Sequence, residues 1–271
     1  MIILLTGKPG SGKSTIIRKL IESYDEPAFW VVVDSIPRPE GGRAGFIARN
    51  SLGETRIISH KTDIDSELVI GKNRVDLEAV THMFGNITPY SNELVILDEI
   101  GPIQFLAPGF KEHLDKLFAT HTDMIATIHF DNPQVAPYRV HPKIFLLEAT
   151  QQNRDLLPEA LRLVAKNRQT VDALTAPQQK IVFDLLRKAL AEQHQLQIEK
   201  LLINAIHYVT DGKVAQHGSH RWHVSGHHGE YILEGTASNL QCSCDLFNGR
   251  GEYAGSAGEC SHIQAVKIQT A

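Results

Sequence analysis

The chain has 271 residues, of which 42% are hydrophobic and 21% charged, and its formal net charge is −4. These values predict a globular protein with room for two domains, and they argue against binding nucleic acid over the whole surface. No stretch approaches the length of a membrane span, and the N-terminal apolar run is too short for a secretory signal. We therefore expect a cytoplasmic protein with no membrane partner.

The first motif lies between a predicted strand at residues 2–5 and a predicted helix from residue 15. It matches the phosphate-binding pattern G-x-x-x-x-G-K-[ST], known as the P-loop. Its glycines let backbone N–H groups surround a phosphate, and the helix N-terminus adds partial positive charge. The predicted nucleotide-binding residues of this segment are Gly7, Lys8, Pro9, Gly10, Ser11, Gly12, Lys13, Ser14 and Thr15.

Two side chains of the loop have predicted chemical roles. Lys13 is expected to contact the β- and γ-phosphates, and the Ser14 hydroxyl to bind Mg²⁺. An ordinary glycine-rich turn is the alternative, but it would not need an apolar strand before it and a helix after it. The sequence therefore predicts a nucleoside triphosphate as ligand and Mg²⁺ as cofactor.

Strand-like and helix-like segments alternate as far as residue 150. Further strands are predicted at residues 28–33, 93–97, 124–128 and 144–147, and helices at 75–84 and within 109–120. A glycine-rich segment with a β-rich piece at 55–58 suggests an inserted hairpin. The alternation predicts an α/β fold with a mostly parallel sheet and flanking helices.

Asp98 and Glu99 end the most apolar run of the chain. A carboxylate at such a strand end can hold Mg²⁺ beside the P-loop serine, and its neighbour can activate the attacking water. We predict that Asp98 serves the metal and that Glu99 is the catalytic base, with the division between them set by strand register. A polar strand terminus without a catalytic role is the alternative.

Four N-terminal segments resemble the small P-loop nucleoside-triphosphatases first described from thermophiles, a family that includes a human cancer-related member. The segments are residues 7–14, 38–46, 98–101 and 148–155, and the resemblance covers roughly residues 1–165. It implies a single α/β domain of the catalytic-glutamate P-loop class and slow hydrolysis of nucleoside triphosphates with broad base tolerance. Ile103-Gln104 replaces the family's usual Met-Glu, and Asp34-Ser35 stands where a Gly-Phe pair is common.

Three further residues are candidates for the nucleotide site. Arg43, on a glycine-rich loop, could offset charge on the γ-phosphate, and Arg154 could stack on the base. His129 follows a predicted strand, where it could sense the γ-phosphate. Each has a purely structural alternative, a solvated arginine for the first two and a structural histidine for the third.

A helical segment is predicted after residue 170. Thr175 and Gln178 form a capping-box pattern, and apolar residues recur at helical spacing up to residue 209. The polar stretch 191–195 either separates two helices or lies on one long helix. We predict a P-loop domain at 1–168, a helical connector at 169–210 and a small α+β module at 211–271.

The three cysteines of the chain cluster near its C-terminus, as Cys242-Ser243-Cys244 and Cys260-Ser261-His262. Three thiolates and an imidazole suit tetrahedral Zn²⁺, which predicts a closed structural site. A disulfide is disfavoured because three cysteines cannot all pair and Cys-x-Cys is a poor geometry. An iron–sulfur cluster would need an unusual histidine ligand.

The Cys-x-Cys and Cys-x-His pairs and the strands before them resemble the SWIM zinc finger over roughly residues 218–269. SWIM modules are thought to bind DNA or proteins, so the resemblance implies a recognition module without catalysis. Asp245 stands where many members have proline. Residues 204–271 hold four basic and six acidic residues, a net charge of −2, which favours a protein partner over DNA.

The combined prediction is a Mg²⁺-dependent nucleoside-triphosphatase with a zinc-stabilised recognition module. A nucleoside or nucleotide kinase is one alternative, because small P-loop kinases share these motifs. A nucleotide-switched adaptor that acts through the zinc module is the other. A hydroxyl-bearing acceptor that becomes phosphorylated would favour the kinase, and nucleotide-dependent partner affinity would favour the adaptor.

Overall fold

The computed structural model describes residues 1–85, 87–89, 93–120, 122–142, 144–236, 239–248 and 259–271. The chain divides into two compact units, Met1–Arg154 and Asp155–Ala271. Within the described ranges, no helix combines the length and the apolar character needed to cross a membrane. The three-part division at residues 168 and 210 stays a prediction.

The first unit is built on one sheet. Its described strands are β1 (Ile2–Thr6), β2 (Ala28–Pro37), β3 (Arg43–Asn50), β4 (Thr55–His60), β5 (Val69–Ile70), β6 (Asn73–Val75), β7 (Leu94–Ile100), β8 (Met124–Ile128) and β9 (Ile144–Glu148). Its helices are α1 (Lys13–Ser23), α2 (Leu77–Phe84), α3 (Phe110–Ala119) and α4 (Ala136–Arg139), with 3₁₀ turns at Gln104–Leu106 and Pro133–Val135.

The strand order is β5-β6-β4-β3-β2-β7-β8-β1-β9. From β2 to β9 every neighbouring pair is parallel, and from β2 to β5 every pair is antiparallel. The predicted α/β fold is therefore confirmed, with the inserted hairpin forming an antiparallel extension of the same sheet. The carboxyl ends of β1, β7, β8 and β9 meet at one edge, which is where ligands bind in open parallel sheets.

The apolar runs form these central strands because both faces of the sheet are covered. All five residues of β1 and of β8 are buried. Helix α1 contacts β2, β7 and β8. Side chains of α2 and α3 join alternate residues of β1, β7 and β8 in one hydrophobic core. This packing fixes where each central strand ends.

One helix begins later than its pattern predicted. We expected a helix from residue 75, but Val75 lies in β6 and α2 begins at Leu77. The side chain of Asp76 accepts a hydrogen bond from the backbone N–H of Ala79, which is an N-cap. The capping residue therefore sets the start of this helix, and the apolar periodicity alone does not reveal it.

The second unit combines helices with a four-stranded antiparallel sheet. Its described helices are α5 (Leu157–Lys166), α6 (Arg168–Asp172), α7 (Ala176–Ala191), α8 (Leu202–Thr210) and α9 (Ser261–Gln269), with a π-helical turn at Gln197–Leu201. Its strands are β10 (Val214–Gln216), β11 (Arg221–Gly226), β12 (Gly229–Thr236) and β13 (Asn239–Cys242), paired in that order.

Helix α9 is the centre of the second unit. It contacts α7, α8, the π-helical turn and all four strands, and seven of its nine residues are buried. The apolar stripe predicted between residues 182 and 209 therefore packs on α9. Two separate helices carry that stripe, because α7 ends at Ala191 and Gln193 takes a positive φ of 56°. The predicted capping box of Thr175 and Gln178 is present at the start of α7.

Candidate active site and metal centre

The phosphate-binding loop connects β1 to α1 at the carboxyl edge of the sheet. Gly7, Gly10 and Gly12 all have positive φ, and a Cβ at Gly7 would lie 2.6 Å from the carbonyl oxygen of Ala149. Both the conformation and the close approach exclude larger residues there. The Lys13 amine donates to the Gly7 carbonyl oxygen at 2.8 Å, so this side chain folds back across the loop.

Asp98 lies near the end of β7 and is almost fully buried, with 3% of its surface exposed. Its carboxylate accepts a 2.5 Å hydrogen bond from the Thr127 hydroxyl of β8. Burial raises the pKa of Asp98, while hydrogen bonds from Thr127 and Ser14 and the charge of Lys13 act to lower it. Ser14 and Asp98 thus form a hydroxyl–carboxylate pair, the donor set that suits Mg²⁺.

Glu99 follows Asp98 through a cis peptide bond, and its side chain is partly buried. Burial and the neighbouring charge of Asp98 raise the pKa of Glu99 to about 7, although Lys13 opposes the shift. The carboxylate packs on Gly101, where an added Cβ would lie 2.8 Å from Glu99 Oε1. A carboxyl group with this pKa can accept a proton near neutral pH.

One cavity of about 660 Å³ brings most of the predicted residues together. The predicted residues that line it are Pro9, Gly10, Gly12, Lys13, Ser14, Thr15, Arg43, Asp98, Glu99 and His129. Its volume is within the range of roughly 300–1,000 Å³ for small-molecule sites. Gly7, Lys8, Ser11 and Arg154 do not line it.

The two candidate arginines occupy different places. Arg43 is exposed, lines the cavity and lies over the ring of Phe46, with 5.7 Å between the guanidinium carbon and the ring centroid. Arg154 is also exposed and lies outside the cavity, with its Cδ atom 3.7 Å from the position of a Cβ on Gly12. Arg154 therefore lies beside the loop, and its contact with a base stays a prediction.

His129 is a partly buried residue that follows β8. Burial lowers its pKa, and the charges of Lys13 and Arg139 add to that shift, so the ring is neutral near pH 7. Its Nδ1 accepts a 3.3 Å hydrogen bond from the backbone N–H of Asp131. Arg139 donates to the His129 carbonyl oxygen at 2.5 Å, which ties this loop to α4.

The second unit contains a cluster of four buried side chains that could hold a metal ion. One ligand atom from each of Cys242, Cys244, Cys260 and His262 lies within 4.8 Å of the others. His262 Nδ1 is 3.7 Å from Cys242 Sγ. Hydrogen bonding with the other two sulfurs raises the pKa of Cys260 and lowers that of Cys244. Sulfur atoms this close can all be thiolates beside a divalent cation.

The imidazole of His262 stacks with two aromatic rings. Tyr231 stacks on it with ring centroids 4.0 Å apart, and Tyr208 of α8 stacks on it at 5.6 Å. Gly226 leaves room for Nε2, because an added Cβ there would lie 2.7 Å from that atom. These contacts fix the ring with Nδ1 toward the sulfurs. The glycine-rich loop predicted between Cys244 and Cys260 lies mostly outside the described residues.

Two site residues were missed by reasoning from the sequence. Thr127 was treated only as part of an apolar strand, yet a hydroxyl in an otherwise apolar, buried strand is a signal that it has a polar partner. Gly101 was noted only as part of a resemblance, and its contact with Glu99 depends on local backbone geometry that spacing does not reveal.

The site geometry agrees with the comparisons to known proteins. A family model described as NTPase matches residues 2–162. The chain belongs to the NTPase family. Its curated NTPase relatives include the nucleoside-triphosphatase THEP1 of Thermotoga sp. strain RQ2, 32% identical and aligned over 62% of this chain and 98% of the relative. The protein of the same name from Methanosarcina acetivorans is 30% identical, over 59% of this chain and 93% of the relative.

The NTPase fold also matches a solved structure. The crystal structure of THEP1 from the hyperthermophile Aquifex aeolicus has a TM-score of 0.51 and 24% identity, over 59% of this chain and 96% of that chain. At this identity the likeness shows the fold. The family match ends at residue 162, eight residues beyond the first compact unit, so most of the second unit lies outside it.

Proposed function

We propose that the chain catalyses Mg²⁺-dependent hydrolysis of nucleoside triphosphates to the diphosphate and phosphate. The NTPase family match and the curated relatives named nucleoside-triphosphatase support the reaction class. The observation that carries the proposal is that Lys13 of the P-loop and the Glu99 carboxylate, whose pKa is about 7, line the same cavity. That cavity combines a phosphate-binding cation with a base that accepts a proton near neutral pH.

In this proposal the chain's own groups position the triphosphate, stabilise the transferred phosphoryl group and deprotonate the attacking water. Backbone N–H groups of the loop bind phosphate oxygens, Lys13 stabilises charge on the transferred phosphoryl group, and Glu99 accepts the proton of the attacking water. Arg43, which lines the same cavity, supplies a second positive charge. Ser14 and Asp98 would hold Mg²⁺, which supplies charge neutralisation at the phosphate oxygens.

Hydrolysis assays across several triphosphates test the proposal. Lys13→Ala should lose most turnover and bind triphosphate more weakly, because the charge that binds the β- and γ-phosphates is gone. Lys19→Ala is a matched control, since Lys19 is an exposed lysine of α1 that does not line the cavity. Near-normal hydrolysis by a folded Lys13→Ala protein would contradict the assignment. A phosphorylated acceptor in place of free phosphate would favour the kinase.

We further propose that the Cys₃His cluster is a structural Zn²⁺ site. Three sulfurs and one imidazole nitrogen are the donors of closed zinc sites, and all four side chains are buried. Glu259 precedes Cys260, and its carboxylate forms salt bridges with Lys188 and Lys267. Membership of this module in the SWIM family and a cytoplasmic location of the protein remain predictions from the sequence.

The charge pattern around this zinc module supports a protein partner rather than DNA. Its described basic residues each lie beside a carboxylate, in the pairs Lys213–Asp211 (2.8 Å), Arg221–Glu234 (3.7 Å) and Lys267–Glu259 (2.6 Å). Paired cations release few counterions on a nucleic acid, so they add little affinity. Fluorescence anisotropy with labelled double-stranded DNA tests this: salt-dependent binding in the micromolar range would contradict a protein partner.

A further inference from the structure

A second cavity, of about 530 Å³, lies in the first unit beside the triphosphate site. Ser14, Val33, Arg43 and Phe46 line both cavities, so the two share a wall. The lining of the second cavity comes from α1, from the second half of β2 and from β3. Lys13, Asp98 and Glu99 do not line it. The second cavity therefore lies beside the predicted hydrolytic groups, which are not part of its lining.

The charged side chains that line the second cavity are mostly basic. Its lining includes three guanidinium groups, those of Arg18, Arg43 and Arg49, against the single carboxylate of Asp34. Arg18 donates to Asp34 Oδ1 at 3.1 Å, and Arg49 approaches Oδ2 at 3.8 Å. One carboxylate cannot neutralise three guanidinium groups, so a positive charge of about two remains in the cavity.

The two arginines beside Asp34 are held in place and remain accessible. The side chains of Arg18 and Arg49 are 48% and 55% exposed, while that of Asp34 is 17% exposed. Arg18 is further oriented by Thr15 Oγ1 and by the Ser14 carbonyl oxygen, which accept hydrogen bonds of 3.4 Å. A carboxylate that orients two guanidinium groups leaves their remaining N–H donors free to bind an anion.

We propose that this cavity is a second anion site that binds a phosphate group, either as inorganic phosphate or as a phosphomonoester. Guanidinium groups match phosphate oxygens geometrically through paired N–H donors. The shared wall would place the bound phosphate next to the γ-phosphate side of the first cavity, with Arg43 between them. The inference rests on the proposed function only in taking the first cavity as the triphosphate site.

Calorimetric titration of the full chain tests the second site. The first cavity is saturated with Mg²⁺ and a non-hydrolysable triphosphate analogue, so that the P-loop is not available to the probe. Inorganic phosphate is titrated in one arm and adenosine monophosphate in the other. We expect one probe molecule to bind per chain. Tighter binding of adenosine monophosphate would identify a phosphomonoester as the physiological ligand. Equal or tighter binding of inorganic phosphate would identify inorganic phosphate as that ligand.

Matched variants identify the site. Arg18→Gln and Arg49→Gln should each weaken binding of the probe about tenfold, since each removes a charged hydrogen-bond donor. Lys19→Gln removes the same charge from an exposed neighbour on α1 that lines neither cavity, and it should bind the probe as the unmodified chain does. Absence of binding at millimolar probe, or equal weakening by Lys19→Gln, would overturn the proposal.

The proposed function and this inference fail separately. Hydrolysis of triphosphate by the unmodified chain, measured without added phosphate, reports on the first cavity. Probe binding with the analogue bound reports on the second cavity. An active chain that binds no probe would refute the second site alone. If the unmodified chain neither hydrolyses triphosphate nor binds the analogue, that result contradicts the proposed function, whatever the probe does.

Discussion

The Thr127 hydroxyl of β8 lies 2.5 Å from Asp98 Oδ1 of β7 and donates a hydrogen bond to it. Both side chains are buried, and the two strands are parallel neighbours in the sheet. β8 lies between β1, which leads into the P-loop, and β7, which carries the carboxylates. A residue of the intervening strand therefore orients the predicted metal-binding carboxylate.

Thr127→Val tests that orientation. The substitution keeps the shape of the side chain but leaves the buried Asp98 carboxylate without this donor, a loss of about 1–3 kcal/mol. We expect the Mg²⁺ concentration for half-maximal hydrolysis to rise about tenfold. Thr127→Ser is the control, because it retains the hydroxyl and should stay near the unmodified value. An unchanged Mg²⁺ dependence in Thr127→Val would show that the hydrogen bond does not serve the metal site.

The raised pKa of Glu99 predicts a pH dependence of hydrolysis. A general base acts as the deprotonated carboxylate, and the Glu99 pKa of about 7 keeps much of it protonated at pH 6. kcat/KM should therefore rise with pH and level off above about pH 8. In Glu99→Gln, binding of the Mg²⁺–triphosphate complex should persist while hydrolysis falls at least 100-fold.

The residual rate of Glu99→Gln supplies the control for that profile. It should be flat between pH 6 and 8, because the titrating group has been removed. A profile in the variant that still rises through pH 7 would assign the titration to another group. Hydrolysis by Glu99→Gln at the unmodified rate would place the base elsewhere and would strengthen the kinase alternative.

Gly101→Ala should impair hydrolysis by displacing the Glu99 carboxylate. The added Cβ would lie 2.8 Å from Oε1, which is too close for contact, so the carboxylate must move. Displacing a catalytic group by about 1 Å can lower turnover about 10–100-fold. Triphosphate affinity, measured by titration, should stay unchanged because Gly101 does not line the cavity. Combining Gly101→Ala with Glu99→Gln should add no further loss, whereas additive losses would show that Gly101 acts by another route.

The metal cluster predicts one Zn²⁺ per chain in freshly purified protein, measured by elemental analysis. Cys260→Ser should lower the zinc content to well below one, while Ser243→Ala, between two ligands, should retain it. Chelation should disrupt the second unit and spare triphosphate binding, because the two sites belong to different compact units. Stoichiometric iron, or no metal in the unmodified chain, would contradict the zinc assignment.

Much of the first unit was predictable from the sequence because its signals are local. Continuous apolar runs marked the central strands, and the 124–128 strand has the predicted bounds. The glycine positions of the P-loop follow from backbone conformation, which a short pattern records well. The ends of strands next to polar residues were less predictable, and β2 and β7 extend farther than their apolar runs.

The features that sequence reasoning missed depend on contacts between distant segments. The Thr127–Asp98 bond joins residues 29 apart, and the second cavity forms only when α1 and two strands meet around Asp34. The apolar stripe of α7 and α8 was predicted to pack within the chain, but the sequence did not reveal its partner. That partner is α9, which lies about fifty residues farther along the chain.

The stacking of Tyr208 on His262 has a consequence for how this C-terminal part could be transferred between genes. A segment beginning at residue 211 would carry all four metal ligands but would leave behind Tyr208 and the helices that bury α9. The unit that keeps this packing intact is therefore residues 155–271, and the short cysteine-containing stretch alone does not keep it. Recombination after residue 154 would preserve this packing, whereas a crossover within α8 would yield a metal-binding sequence without the aromatic and apolar support of its histidine.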